Sequence, residues 1–442
     1  MTTENNARRP LRLGMVGGGE GAYIGNIHRI AARQDGALQL VAGAFDVDAA
    51  RGHKFAASQG LAADRSYGDY KQMLEAELKR EDRVDVVAIC TPNHTHFPIA
   101  KAFLEAGFDV ICEKPLTTTL EDAVALEALV KQTGRFMGVT YTYSGYPMVH
   151  EAREMIAAGK LGAIRVVQVE YPLEWMATAI ESEGNAQAAW RTDPKKSGRG
   201  GSIGDIGTHA YHLAGFVTGL KAEAITADLA TFVAGRQLDD NAHVMIRYQG
   251  GARGLLWSSQ VAIGCSNGVR LRVFGEKGSV QWFQEAPNEL LFTGLLGRTE
   301  LIKRGAGDLS AAATARTRTP PGHPEGYLEA FANLYSGFAE AINARREGIA
   351  LPKGVAYDAQ GSTTTDANQA QALIPLGSTE FGHKGYGLAL MIDLLCGPLN
   401  ANPYGPTISN MFTAMDQPRH LGAFFMVLDP LRFAGGNALP QV

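Results

Sequence analysis

The chain has 442 residues, 45% hydrophobic and 19% charged, which suits two or three folded domains with sizeable cores and argues against a disordered or membrane protein. Lys plus Arg total 41 against 45 Asp plus Glu, a net charge of -4, so no basic footprint for nucleic acid or an anionic membrane exists and a small neutral partner is expected. Cys90, Cys112, Cys265 and Cys396 form no CxxC pair, no apolar run approaches the roughly 18 residues that span a bilayer, and the polar start MTTENNARRP lacks a secretory h-region, so a cytoplasmic protein with reduced thiols is expected.

The apolar run Leu11 to Val16 ends in glycines, Ile24 to Arg33 has helical spacing, and Leu38 to Phe45 is a second apolar run, which together predict a βαβ unit. Alternation continues with helices at Tyr67 to Lys79, Phe97 to Ala106 and Leu120 to Thr133, and strands at Val84 to Cys90, Phe108 to Cys112 and Phe136 to Thr142. Strands separated by helices imply a doubly wound α/β domain with a parallel sheet, assigned to residues 1–142.

After Tyr143 one helix, Tyr146 to Ala158, precedes successive strands at Ile164 to Tyr171, Ala222 to Phe232, Asn241 to Tyr248, Ala252 to Val261 and Val269 to Phe274. Strands in succession predict an α+β domain with a large, open, mostly antiparallel sheet, and Gly250-Gly251 marks a hairpin turn. This domain is assigned to 143–355, its wide sheet being the expected homo-oligomer interface. Gly294 to Pro324 has no clear period and reads as a loop or lid-like excursion, and Glu325 to Arg346 reads as a helix.

Gly17, Gly19 and Gly25 follow the first strand and open a helix, where backbone amides approach a pyrophosphate. The spacing is irregular, as if Glu20 to Ala22 were inserted. Asp46, at the end of the second strand, is placed to accept hydrogen bonds from an adenosine ribose or, alternatively, to cap the next helix. Val47 stands where a basic residue would welcome a 2'-phosphate, so NAD is expected in preference to NADP. The unit reads as a Rossmann domain. Two further strand ends carry polar clusters, Thr91, Pro92, Asn93 and His96 after the third and Glu113 and Lys114 after the next, where open parallel sheets bind ligands.

With TPNHTHFPIAKAFLEAGFDVICEKP, the glycine loop through Gly25 and His28, and WRTDPKKSGRGGSIGDIGTHAYHLAGFVTG, the chain over about residues 10–355 resembles the glucose-fructose oxidoreductase, inositol dehydrogenase and MocA (Gfo/Idh/MocA) family. The resemblance implies that Lys114 lies between nicotinamide and substrate and that Asp205 and His209 are catalytic. Read as chemistry, His209 is the natural base for a secondary alcohol losing hydride, Asp205 orients it or binds a hydroxyl, and Lys114 stabilises alkoxide charge. Tyr143, Trp190, Arg191 and His212 are candidates for the sugar pocket, or ordinary packing. His212 stands where many relatives have an aspartate. No acid–histidine spacing resembles a zinc site, so no metal is expected.

The expected activity is NAD-dependent oxidation of a secondary alcohol on a sugar, inositol or related polyol. Two alternatives are an NAD-dependent glycosidase working by transient oxidation and a non-catalytic dinucleotide-binding regulator. From Tyr357 the style changes: GSTTTDANQAQALIPLGSTEFGHKGYGLALMIDLLCGPLN and PRHLGAFFMVLDPLRFAGG resemble a fragment of the type-2 malate/lactate dehydrogenases, so 356–442 reads as an atypical, fused segment without a second active site, with an apolar helix at Leu388 to Leu395.

Overall fold

The computed structural model describes residues 9–346 and the short strands at 356–357, 363–364 and 372–373. Two compact units divide at Ile342/Asn343. In the first, β1 (Leu11–Gly17), α1 (Tyr23–Gln34), β2 (Leu38–Ala44), α2 (Ala49–Ser58), α3 (Tyr70–Leu78), β3 (Val86–Cys90), α4 (His96–Glu105), β4 (Asp109–Cys112), α5 (Leu120–Thr133) and β5 (Met137–Val139) alternate. The strands form one sheet in the order β2-β1-β3-β4-β5, and every neighbouring pair is parallel. This is the Rossmann architecture expected from the alternation. Because the chain leaves β1 for β2 on one side and returns to β3 on the other, a crevice opens at the carboxyl ends of β1 and β3.

The chain then runs through α6 (Pro147–Ala157), β6 (Ile164–Pro172), the short α7 (Ala186–Arg191) and α8 (Pro194–Ser197), a π turn at Ile203–Gly207, and α9 (Thr208–Thr218). Strands β7 (Ala222–Ala230), β8 (Asn241–Tyr248), β9 (Arg253–Ser259), β10 (Arg270–Gly275), β11 (Gly278–Phe283), β12 (Glu289–Gly294) and β13 (Thr299–Lys303) follow. With β6 they make an eight-stranded sheet, ordered β13-β12-β11-β10-β6-β9-β8-β7, in which only β6 and β9 pair in parallel. Met148, Val149, Ala152 and Met155 of α6 and Ala210, Leu213 and Val217 of α9 bury one face of it with Val167, Val169, Val244 and Ile246. Its other face leaves Met245, Leu255, Leu291 and Leu301 exposed.

The segment expected to be a loop from Gly294 to Pro324 is instead partly regular: Thr299–Lys303 extends the sheet by pairing with β12, and α10 spans Ala311–Thr314. The rest is stapled by a buried ion pair. Arg304 Nη1 reaches Glu325 Oε1 at 3.1 Å and Thr319 O at 2.8 Å, and that carboxylate oxygen accepts from the backbone N–H groups of Arg318 and Thr319 at 2.6 Å. One guanidinium thus satisfies the carbonyls of Thr319, Pro320 and His323.

Helix α11 (Tyr327–Arg346) comes after the second sheet in the chain, yet Phe331, Ala332, Tyr335, Ala339 and Ile342 pack in the core of the first, with Leu13, Met15, Ile27 and Val86. Among the described residues no helix is long and apolar enough to cross a membrane. In the second unit, strands at 356–357, 363–364 and 372–373 form a small antiparallel sheet. The expected helix at Leu388 to Leu395 lies outside the described residues.

Candidate active site

The glycine loop packs directly on the neighbouring strand ends. Gly17 takes φ +77°, and a Cβ there would stand 2.7 Å from Thr91 Cγ2; at Gly19 it would meet Phe45 O at 2.7 Å. Gly25, in the first turn of α1, is closest of all: a Cβ would lie 2.3 Å from Gly18 O, so only glycine lets the helix abut the loop. Ala22 at the N-cap supplies no side-chain acceptor, which leaves the first amides of α1 for a ligand. A glycine cradle under an uncapped helix start fits a dinucleotide pyrophosphate.

At the end of β2, Asp46 Oδ1 accepts from the Asp48 backbone N–H at 2.9 Å and from Arg51 Nη2 at 2.8 Å. These bonds, the backbone one foremost, hold its carboxyl below the usual range. The α2 cap is Asp48, whose side chain accepts from Arg51 N, so the capping alternative for Asp46 is not the one the chain uses. Val47 is fully exposed. Arg51 is the basic neighbour that a search of the next residue alone misses, because one helical turn brings it back.

The strand-end clusters divide. Thr91 and Pro92 follow the carboxyl end of β3, half-buried and exposed respectively, but Asn93 is buried and donates Nδ2 to Ser197 O at 3.1 Å, tying the first domain to α8. His96 is also buried, with Nδ1 2.8 Å from Pro115 O and Nε2 2.8 Å from Thr91 O. Burial pushes its pKa down while the two carbonyls pull toward the proton; the ring stitches the two strand-end loops together. Glu113 is buried as well: Oε1 accepts from Thr140 Oγ1 and lies 2.8 Å from His28 Nε2.

Lys114 points the other way, toward the second domain. Its Nζ donates to Asp205 Oδ1 at 2.6 Å and to Asp205 O at 2.8 Å. Asp205 sits in the π turn, whose entry is pinned by Asp239: its carboxylate accepts from the N–H groups of Gly201 and Ile203 at 2.7 and 2.8 Å. The other Asp205 oxygen, Oδ2, accepts from Gln260 Nε2 at 2.9 Å and Arg191 Nε at 3.3 Å. Burial opposes the charge on Asp205, but Lys114 and Arg191 outweigh it and hold the carboxyl well below its usual range.

His209, in the first turn of α9, is enclosed by the rings of Tyr141, Tyr143 and Tyr171, with centroids at 5.6, 5.0 and 6.0 Å. Its Nδ1 is buried without a partner. Burial, reinforced by the Lys114 charge, keeps the imidazole neutral, Asp205 opposing only in part. Asp205 makes no hydrogen bond to His209; its acceptors are spent on Lys114, Arg191 and Gln260.

Of the four pocket candidates, Tyr143 is only 4% exposed and its hydroxyl is engaged with Tyr171 at 2.5 Å, so it walls His209 instead of meeting solvent. His212 stacks on Tyr141 at 4.3 Å, and burial pushes its pKa down to about 4. Arg191 lies 4.2 Å from the Trp190 ring centroid and 5.7 Å from that of Trp175. Tyr141, Tyr171, Trp175, Gln260 and Asn267 escaped the sequence reading. Gln260 alone had a signal, as the polar residue directly after β9. Among the described residues no group of three or more His, Cys, Asp or Glu is arranged to hold a metal ion.

Residues 11–141 match the oxidoreductase family with NAD-binding Rossmann fold, 149–281 the GFO/IDH/MocA C-terminal domain, and 336–441, beginning inside α11, the malate/L-lactate dehydrogenase family. The uncharacterized oxidoreductase YfiI of Bacillus subtilis is 42% identical over 342 residues, 76% of this chain and 86% of that protein. Levoglucosan dehydrogenase of Pseudarthrobacter phenanthrenivorans is 28% identical over 308 residues, covering 63% of this chain and 75% of that one. An inositol dehydrogenase homolog of Azotobacter vinelandii, crystallised with NAD+, superposes with a TM-score of 0.75 at 41% identity over 77% of this chain and 87% of that chain. With the parallel sheet, the glycine cradle and the Lys114–Asp205 pair already in place, these matches make the chain a member of the Gfo/Idh/MocA family of NAD-dependent dehydrogenases.

Proposed function

We propose that the chain oxidises a secondary alcohol of a sugar, inositol or related polyol. The observation that carries this reading is the Lys114–Asp205 pair, which spans the two sheets beside a neutral His209. Gly17, Gly19, Gly25 and Asp46 would hold the pyrophosphate and adenosine ribose of NAD, with Thr91 and Pro92 at the crevice. Bound there, NAD supplies the hydride acceptor. His209 takes the hydroxyl proton; Nδ1 is already enclosed by protein, so we assign this role to Nε2. The Lys114 ammonium, fixed by Asp205, faces the oxygen as its negative charge develops. Net, the alcohol becomes a ketone, the carbon's hydride leaves to the cofactor and the hydroxyl proton passes through His209 to solvent. Trp190 and Arg191 offer an aromatic face for pyranose C–H groups and a fork for hydroxyls.

Supporting a polyol is the relatives' chemistry: a crystal structure of an inositol dehydrogenase homolog from Azotobacter vinelandii, 40% identical, is complexed with NADH and myo-inositol. The free thiols of Cys90, Cys112 and Cys265 support a reducing, cytoplasmic setting. The apolar outer face of the second sheet, with Met245, Leu255, Leu291 and Leu301, supports a homo-oligomer.

A panel of sugars, inositols and other polyols with NAD and NADP, followed by cofactor absorbance, tests the reading. Lys114→Ala and His209→Ala are each expected to lower turnover by at least about 100-fold while NAD still binds; wild-type turnover in both overturns it. Net NADH release argues against the glycosidase alternative, which returns the hydride.

A further inference from the structure

A buried ionic cluster lies on the far side of Lys114 from Asp205, and the proposed chemistry leaves it unused. Glu113 and Thr140, directly after β4 and β5, and His28 of α1 and Tyr335 of α11 are each at most 6% exposed. Glu113 Oε1 meets both Thr140 Oγ1 and, at 2.8 Å, His28 Nε2; His28 Nδ1 lies 2.6 Å from Tyr335 Oη, and Phe331 packs edge-on at 4.9 Å. The Glu113 backbone N–H donates to Ile89 O at 3.0 Å. The groups facing His28 are therefore Cys90 from β3, Glu113 from β4, Tyr335 from α11, and Arg29 on its own helix near Cys90.

Burying a carboxylate costs several kcal/mol unless it is paired, and buried ion pairs replaced by apolar residues of similar volume often leave a protein no less stable. What the pair achieves is placement. Lysine has a flexible four-carbon stem, so an ammonium is held in one geometry only if both ends are anchored. Asp205 anchors the Nζ end. The residue next to Lys114 in the chain, clamped on one side by β3 and on the other by α1 and α11, anchors the backbone end.

We infer that His28, with Thr140 and Tyr335, is a positioning residue for Lys114, acting through the buried carboxylate of Glu113. The inference rests on the dehydrogenase reading for its catalytic consequence. It also links the cofactor loop to the chemistry, since His28 rides on the helix whose first turn holds Gly25 against Gly18.

Replacing His28 separates its two bonds. In the full-length chain, His28→Gln keeps a nitrogen near the Nε2 position for Glu113, whereas His28→Asn reaches only toward Tyr335. His28→Asn is expected to lower kcat on the order of 100-fold, the scale of a 1 Å misplacement, with the KM for NAD little changed, and His28→Gln to restore most of it. A second readout needs no turnover: after reductive methylation with 13C-formaldehyde, the Lys114 signal, assigned by its loss in Lys114→Arg, should shift in His28→Asn and return in His28→Gln. Wild-type kcat with an unmoved Lys114 signal in a folded His28→Asn protein overturns the inference. If no polyol yields NADH with the wild type, the functional reading has failed and the Lys114 signal alone decides. Should His28→Asn not fold, Tyr335→Phe, which removes one hydroxyl and keeps the ring, is judged by the same two measurements.

Discussion

Lys114 and Asp205 are joined twice, through the aspartate's carboxylate at 2.6 Å and its backbone carbonyl at 2.8 Å, so a side chain from the end of one sheet is locked to a turn packed on the other. The second bond survives removal of the carboxylate. Asp205→Asn is therefore expected to keep Lys114 near its place but lose the charge that fixes it, lowering kcat by about 10- to 100-fold, against about 10²- to 10⁴-fold for His209→Ala. Steady-state kinetics on the best polyol checks the order; equal losses would show that Asp205 does more than hold the lysine.

Gln260 and Arg191 share the other Asp205 oxygen. Gln260→Leu leaves a buried carboxylate short of a donor, at a cost of roughly 1–3 kcal/mol. The expected outcome is a lower melting temperature together with reduced kcat/KM, measured by thermal unfolding and kinetics.

Asp46 and Arg51 hold each other at 2.8 Å. Asp46→Ser removes a like charge from the face a 2'-phosphate would approach, a penalty of several kcal/mol, and frees Arg51 to pair with it. NADP affinity, measured by quenching of protein fluorescence, should rise relative to NAD by on the order of 100-fold. In the double variant Asp46→Ser/Arg51→Ala that gain should shrink.

Gly25→Ala drives a methyl into the Gly18 backbone, where nothing can move aside cheaply. NAD binding should fall below detection by titration while far-UV circular dichroism is retained. Gly21, also in the loop but with open space around it, costs only the backbone strain of its φ of +75°, about 1 kcal/mol.

The His28–Glu113 pair predicts a pH dependence of stability. Burial opposes the proton on His28, but the Cys90 sulfur and the Glu113 carboxylate outweigh it, and the pKa is pushed up to about 10 from an ordinary 6.5. A raised pKa contributes stability in full below about 6.5 and loses it as pH rises through about 10. For Glu113, burial raises the pKa but His28 and Thr140 bring it below 4.5, so its contribution is present above 4.5 and lost as pH falls through the lowered value. The melting-temperature gap between wild type and His28→Gln should be widest at about pH 4.5 to 6.5 and narrow toward pH 10; a flat gap would refute the ionised pair.

Much of the site was legible because its residues end strands. Val86–Cys90 and Asp109–Cys112 are apolar runs that stop at polar clusters, and in a parallel sheet such stops coincide with ligand positions. What those polar residues touch was not legible. Asn93, His96 and Glu113 look like ligand groups in the sequence, yet they face Ser197, Thr91, Pro115 and His28 inside the protein. The misread span from Gly294 to Pro324 has the same origin: Thr299–Lys303 is exposed and weakly patterned, and only pairing with β12 makes it a strand.

By itself the sequence determined whatever periodicity and local backbone chemistry dictate: the alternation that builds the parallel sheet, the glycines that let α1 meet the loop, and the acid at the end of β2. Tertiary structure alone decided the pairings. Tyr335 meets His28 across 307 residues because α11 returns to the first sheet after the second is complete, and Lys114 meets Asp205 across 91. Such contacts have no period to read; they form only once both cores are packed and bring their edges together.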